Sequence, residues 1–142
     1  MKTVQQLLMG MDLALWYVTP EQTIFESLKL MAEAGIGALL VMEKGRLVGI
    51  LSERDYARKV ALEGRDSRTT KVADIMTHNV LCVSPESTNE ECMALMAAKR
   101  IRHLPVVKDG EVIGMLSIRD LVADIIAERE YTIKQLETYI YS

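Results

Sequence analysis

The sequence predicts an α+β fold: two tandem β-α-β-β-α units packed sheet to sheet about a pseudo-twofold axis, plus a C-terminal helix. Three observations carry that expectation. The stretch GILSERD at residues 49–55 returns as GMLSIRD at residues 114–120. The segment from Val18 to Val60 aligns without a gap with Val83 to Ile125, at a constant offset of 65. Seventeen of those 43 pairs are identical, among them Pro20/Pro85, Thr23/Thr88, Gly45/Gly110 and Gly49/Gly114, so the chain contains a duplicated unit.

Each copy opens on a short apolar strand, around 15–18 and again around 80–83, that meets a proline. Thr23-Ile-Phe-Glu26 and Thr88-Asn-Glu-Glu91 then read as capping boxes, with the Thr hydroxyl and the Glu carboxylate satisfying free backbone donors of a helix start. The helices that follow carry Leu28, Met31 and Ala32, or Met93, Leu95 and Met96, as apolar positions. A strand comes next, over 38–42 or 104–107. A Lys-Gly or Asp-Gly turn leads into a second strand over 47–51 or 112–116, predicting an antiparallel hairpin. The last helix of each copy starts at the repeated serine. One such unit buries its sheet and both helices poorly alone, whereas two stacked sheet to sheet share a core.

The expected division is 1–62 for the first unit and 63–70 for a linker (EGRDSRTT, polar and turn-rich). The second unit then spans 71–127, and the C-terminal helix 128–142. A short helix over 71–76 leads into the second copy, mirrored by 3–8 before the first. Beyond Ala127, Ile133, Leu136 and Ile140 lie at helical spacing with Tyr139, on a helix that packs on the chain's own core or on a partner.

Composition bounds the function. Of 142 residues, 49% are apolar and 26% charged, an ordinary globular balance, and the net charge of -3 argues against a nucleic-acid surface. Gln5, Gln6 and Asp12 interrupt the apolar N-terminus, which is not read as a signal peptide, and no window is long enough to span a membrane. The two cysteines, Cys82 and Cys92, form no C-x-x-C motif and are read as reduced core thiols, as in a cytoplasmic protein. The two histidines lack metal-ligand spacing, and no nucleophile–base or phosphate-loop motif is present, which disfavours an enzyme.

The repeated joint has two readings. Ser52 with Asp55, and Ser117 with Asp120, suit a helix cap. The same geometry suits a ligand: a helix N-terminus after a strand favours phosphate, a serine hydroxyl and Arg54 or Arg119 can contact it, and the aspartate can accept from ribose hydroxyls. Capping has no use for the arginines. Two joints across a shared cleft predict two nucleotide sites.

G-h-x-S-x-x-D closing each of two tandem β-α-β-β-α units resembles the cystathionine-β-synthase (CBS) domain family. The likeness runs over about residues 3 to 127 and includes KVADIMT at 71–77 and HLPVV at 103–107. It implies a regulatory module that binds an adenosyl ligand (AMP, ADP, ATP, NAD or S-adenosylmethionine), needs no metal, and modulates an unidentified partner protein. Carried onto this chain, Asp55 and Asp120 hold ribose, Ser52 and Ser117 contact phosphate or ribose, and Arg54 and Arg119 stand beside them. Arg102 and His103 match family positions for basic side chains on phosphate, and adenine slots between apolar strand edges near Trp16–Val18 and Leu81–Val83. Lys71 is a further phosphate candidate. For His103, strand-edge packing is the competing reading. The first copy has Gly37 and Ala38 opposite Arg102 and His103. The Asp55 site is therefore expected to be the stronger phosphate site, and the Asp120 site roomier and less basic. The resemblance also implies a homodimer that binds neither nucleic acid nor membrane. The alternative is a ligand-independent dimerisation protein of the same fold.

Overall fold

A computed structural model describes the backbone of residues 2–141 and the side chains of residues 2–140. In chain order the elements are α1 (Val4–Met9), β1 (Tyr17–Val18), α2 (Ile24–Ala34), β2 (Ala38–Glu43), β3 (Arg46–Ser52), α3 (Glu53–Tyr56), α4 (Val72–Ile75), α5 (Asn89–Lys99), β4 (His103–Lys108), β5 (Glu111–Ser117) and α6 (Ile118–Tyr141). Helix α3 runs on as a π-helical turn, Ala57–Ala61.

The two hairpins superimpose in register as the repeat predicts. Ala38 stands opposite Ser52 and His103 opposite Ser117. Both turns place two consecutive residues at positive φ, Lys44-Gly45 and Asp109-Gly110, which matches the right-handed twist of the strands they join. The leading strand of each copy is shorter than expected. β1 pairs in parallel with β2 over two residues, and its counterpart is a single parallel bridge from Val83 to Val106. Cys82, next to that bridge, is exposed and not a core thiol, whereas Cys92 is buried; both are free. Along β2, Ala38, Leu39, Leu40 and Val41 are all buried, so this strand is covered on both faces. Leu39 and Val41 face the helices of their own unit. On the second hairpin, Leu104 and Val106 do the same.

The short helices exchange partners. Val4, Leu7 and Leu8 of α1 fill the core of the second unit, with Cys92, Met96, Leu104 and Leu116. Val72 and Ile75 of α4, with Met76, fill that of the first, with Ile24, Met31, Leu39 and Leu51. Matching backbone bonds fix each helix. Val4 N–H donates to Ser87 at 2.7 Å and Gln5 N–H to Pro85 at 3.0 Å; Val72 N–H donates to Gln22 at 2.8 Å and Ala73 N–H to Pro20 at 2.9 Å. The segment 71–76 thus leads into the second copy along the chain while packing on the first.

Two further differences from expectation have local causes. Thr23 and Thr88 do cap their helices, accepting from the N–H of Glu26 and Glu91. The reciprocal half is absent from both boxes; in the first, the Glu26 carboxylate instead accepts from Gln22 Nε2 at 3.1 Å. The C-terminal helix is continuous with the last helix of the repeat, so that α6 runs unbroken for 24 residues. Its end lies away from the body, with Ile133, Leu136 and Ile140 more than half exposed. Among the described residues no helix is long and apolar enough to cross a membrane.

The repeated glycine of each joint lies under an exchanged helix. A Cβ on Gly114 would come within 2.9 Å of Leu8 Cδ2, the movable end of a side chain. On Gly49 it would meet Met76 Sδ at 2.6 Å and the Thr77 carbonyl oxygen at 3.0 Å. Thr77 cannot retreat, since its backbone is paired with Ile50 in both directions. Gly49→Ala therefore lowers stability by about 1–3 kcal/mol, the usual range for overpacking. Chemical denaturation reads this as an earlier midpoint at unchanged slope; a midpoint equal to the parent's would show that the chain yields freely there.

Candidate functional site

Both repeated joints close as capping boxes. Ser52 N–H and Oγ donate to Asp55 Oδ2 at 3.0 and 3.1 Å, and Asp55 N–H donates back to Ser52 Oγ at 3.1 Å. The second joint repeats this with Ser117 and Asp120 at 2.8, 2.9 and 3.2 Å. The first helical N–H is occupied as well, donating from Glu53 to Gly37 and from Ile118 to Arg102. The helix-start donors are thus largely satisfied, and positive charge at these joints comes chiefly from side chains.

The two aspartates differ in their second oxygen. Asp55 Oδ1 pairs with Lys59 at 3.1 Å, and Lys59 also donates to the Ile75 carbonyl. The residue equivalent to Lys59 is Asp124, which is tied to Lys2 at 2.6 Å and to Asn89 Nδ2 at 3.2 Å. Asp120 Oδ1 therefore has no ion pair among the described residues.

Two clefts open at these joints. The larger, about 720 Å³, brings Ser117, Arg119 and Asp120 together with Leu13–Trp16 and the Gly35–Gly37 corner. The smaller, about 370 Å³, brings Ser52, Arg54 and Asp55 together with Val80, Leu81 and the Arg100–His103 corner. Gly37, Glu53, Arg102 and His103 border both. A Cβ on Gly37 would lie 3.9 Å from His103 Cε1, so the partition between the clefts is thin. Burial holds the His103 imidazole below its ordinary pKa; the Asp120 carboxylate pulls the other way and Arg102 reinforces the fall. The ring is neutral at pH 7.

Three sequence candidates lie elsewhere. Val18 is buried in the first core, and Val83 packs against the second, so neither side chain lines a cleft. The apolar walls come from Leu13–Trp16 and from Val80 and Leu81, just ahead of them in the chain. Lys71 pairs with Glu21 at 2.8 Å, a contact that holds its ammonium above the ordinary pKa, and borders neither cleft. Conversely, Glu53 and Arg100 line clefts without having been singled out, and Arg58, which the sequence places in a basic run read as a solvated face with Lys59, Arg65, Arg68 and Lys71, lines the smaller cleft. Arg58 was legible as lying one turn beyond Arg54, and Arg100 as an arginine at the position of Gly35. Among the described residues no group of three or more His, Cys, Asp or Glu side chains is placed to hold a metal ion.

Comparison with known proteins agrees with this architecture. The CBS domain profile matches twice, over residues 4–62 and 72–127. The mitochondrial CBS domain-containing protein CBSX3 of Arabidopsis thaliana is 42% identical over 131 residues, covering 89% of this chain; the chain spans 63% of that relative's length. A putative signal-transduction protein with CBS domains from Burkholderia ambifaria is 47% identical in its solved structure, with a TM-score of 0.87 over 89% of this chain and 95% of that one. The CBS domain pair of protein MJ0100, solved with 5′-methylthioadenosine and S-adenosyl-L-methionine, shares the fold at a TM-score of 0.77 and 22% identity, covering 90% of this chain and 98% of that one. The duplicated unit, its two joints and these matches make the chain a member of the CBS domain family, carrying a tandem pair.

Proposed function

We propose that the protein is a non-catalytic sensor module in which an adenosyl ligand of the AMP, ADP, ATP, NAD or S-adenosylmethionine class occupies the space between the units and alters a partner protein. One observation carries the reading: Asp120, with an oxygen that no cation claims among the described residues, lines the same larger cleft as Trp16. A ribose can donate its two hydroxyls to that carboxylate while the capping box keeps the other oxygen, and an adenine can lie against the indole and its apolar neighbours. Ser52, Arg54, Asp55, Arg102 and His103 line the second cleft, where the Lys59 ion pair already occupies the other Asp55 oxygen. The adenosyl ligands of the MJ0100 pair support this ligand class. Both thiols are free, which suits a reducing compartment such as the cytoplasm.

A ligand-independent dimer is the second reading. The apolar stripe of α6, with Ile126, Ile133, Leu136 and Ile140 exposed, favours a contact with a second copy. Removing residues 128–142 should then shift the mass found by light scattering from dimer to monomer; a dimer that survives the truncation places the contact elsewhere.

Thermal shift with AMP, ADP, ATP, NAD, S-adenosylmethionine and GTP tests the favoured reading. A ligand at 100 times its Kd adds about 2.7 kcal/mol of stability. Asp120→Asn keeps a capping side chain and loses the ribose acceptor, so it should abolish the shift given by S-adenosylmethionine, which brings no phosphate for the other cleft, with little change in the unliganded melting temperature. A shift that persists in Asp120→Asn removes that aspartate from the site.

His103 sets a pH dependence. An anionic group beside the ring stabilises its protonated form, so binding takes up a proton between the depressed free value and the raised bound value. Affinity for a phosphate-bearing ligand should therefore rise as pH falls from about 7.5 to about 6, relative to His103→Asn, in which only the ligand's own protonation changes. Parallel pH profiles for the two proteins would place the phosphate away from His103.

A further inference from the structure

We propose that the smaller cleft is a polyphosphate site that reads the number of phosphates and not the base. It shares with the proposed function only the premise that the clefts hold ligands. Four arginines line it, Arg54, Arg58, Arg100 and Arg102, against the two acidic residues Glu53 and Asp55. Asp55 is already neutralised by Lys59. None of the four arginines has an ion pair among the described residues. Gathering like charges this way opposes folding, and a chain of phosphates relieves it through bidentate pairs.

The cluster is particular to this cleft. The positions equivalent to Arg58, Arg100 and Arg102 in the other copy are Ala123, Gly35 and Gly37. Arg100 is also held against its backbone preference. It ends α5 in the left-handed region at φ 54, a strain that Gly35 avoids at the same point of the first copy at φ 67. An arginine thus lines the cleft at a position where glycine would be unstrained. The nucleoside is poorly served there, because Asp55 gives Oδ2 to Ser52 and Oδ1 to Lys59. The cleft is also about half the size of its neighbour, 370 against 720 Å³.

Calorimetric titration of the full chain with tripolyphosphate, AMP, ADP, ATP and GTP in magnesium-free buffer tests this. Tripolyphosphate should bind, affinity at the site it competes for should rise from AMP through ADP to ATP, and GTP should match ATP. Added salt should weaken all of them. Arg100→Gly is the decisive variant, since glycine suits the left-handed backbone and should melt no lower than the parent. Its tripolyphosphate affinity should drop about tenfold or more, the worth of one charge-assisted pair. Failure of tripolyphosphate to bind, AMP equal to ATP at the competed site, or undiminished affinity in Arg100→Gly overturns the proposal. Trp16, the single tryptophan, lines only the larger cleft. Adenosine quenching of its fluorescence, in protein saturated with tripolyphosphate, tests the adenosyl reading by itself. Its absence would sink that reading and leave the polyphosphate site standing.

Discussion

The exchange of the two short helices is the constraint on which the rest of the molecule rests. Without α1 the second core lacks Val4, Leu7 and Leu8, and without α4 the first lacks Val72 and Ile75. Neither hairpin with its long helices is complete alone. The exchange also creates the clefts. Having packed on the second unit, the chain must return from α1 to β1 in the first, and that return, Met11 to Trp16, walls the larger cleft. The segment leaving α4 does the same on the other side, where Thr77, Asn79, Val80 and Leu81 wall the smaller one. The repeated glycines belong to the same arrangement, because only a residue without a side chain lets Leu8 and Met76 lie down on the hairpins.

The capping and ligand readings of Ser-x-x-Asp prove compatible. A cap uses one carboxylate oxygen, and a ribose needs another, so the same pair can start a helix and present an acceptor. What decides is the residue one turn later. Lys59 closes the second oxygen of Asp55, while Asp124, occupied by Lys2 and Asn89, leaves that of Asp120 open. A charge reversal at one position of the repeat thus separates two otherwise matching joints.

Much of this was legible in the sequence because it is local. The offset of 65, the Lys-Gly and Asp-Gly turns and the serine-led helices each follow from residue type and spacing, and the hairpins fold in the register those signals imply. The exchange was not legible, since the apolar spacing of 4, 7 and 8 says that a helix face is buried and nothing about which core receives it. Val18 and Val83 were misplaced for a related reason. A two-residue strand and a single bridge turn those side chains into the cores, and the cleft wall falls to the residues before them. Arg100 stood in plain view opposite Gly35, but its left-handed backbone, the feature that sets it apart, exists only in three dimensions.

The thin partition ties the electrostatics of the two clefts together. Gly37 carries no side chain there, and Arg102, His103 and Glu53 face both clefts. An anion that engages Arg102 from one side withdraws that guanidinium from the other and leaves Glu53 less neutralised. His103, kept neutral by burial, can take up a proton in partial compensation. Any ligand drawing on these groups in one cleft changes the electrostatics that the second ligand meets, and by linkage the second does the same to the first. Two divergent copies of one joint thus share a wall of three ionisable residues and a glycine, and under the proposed sensor reading a ligand in one cleft would alter the terms on which the other cleft binds.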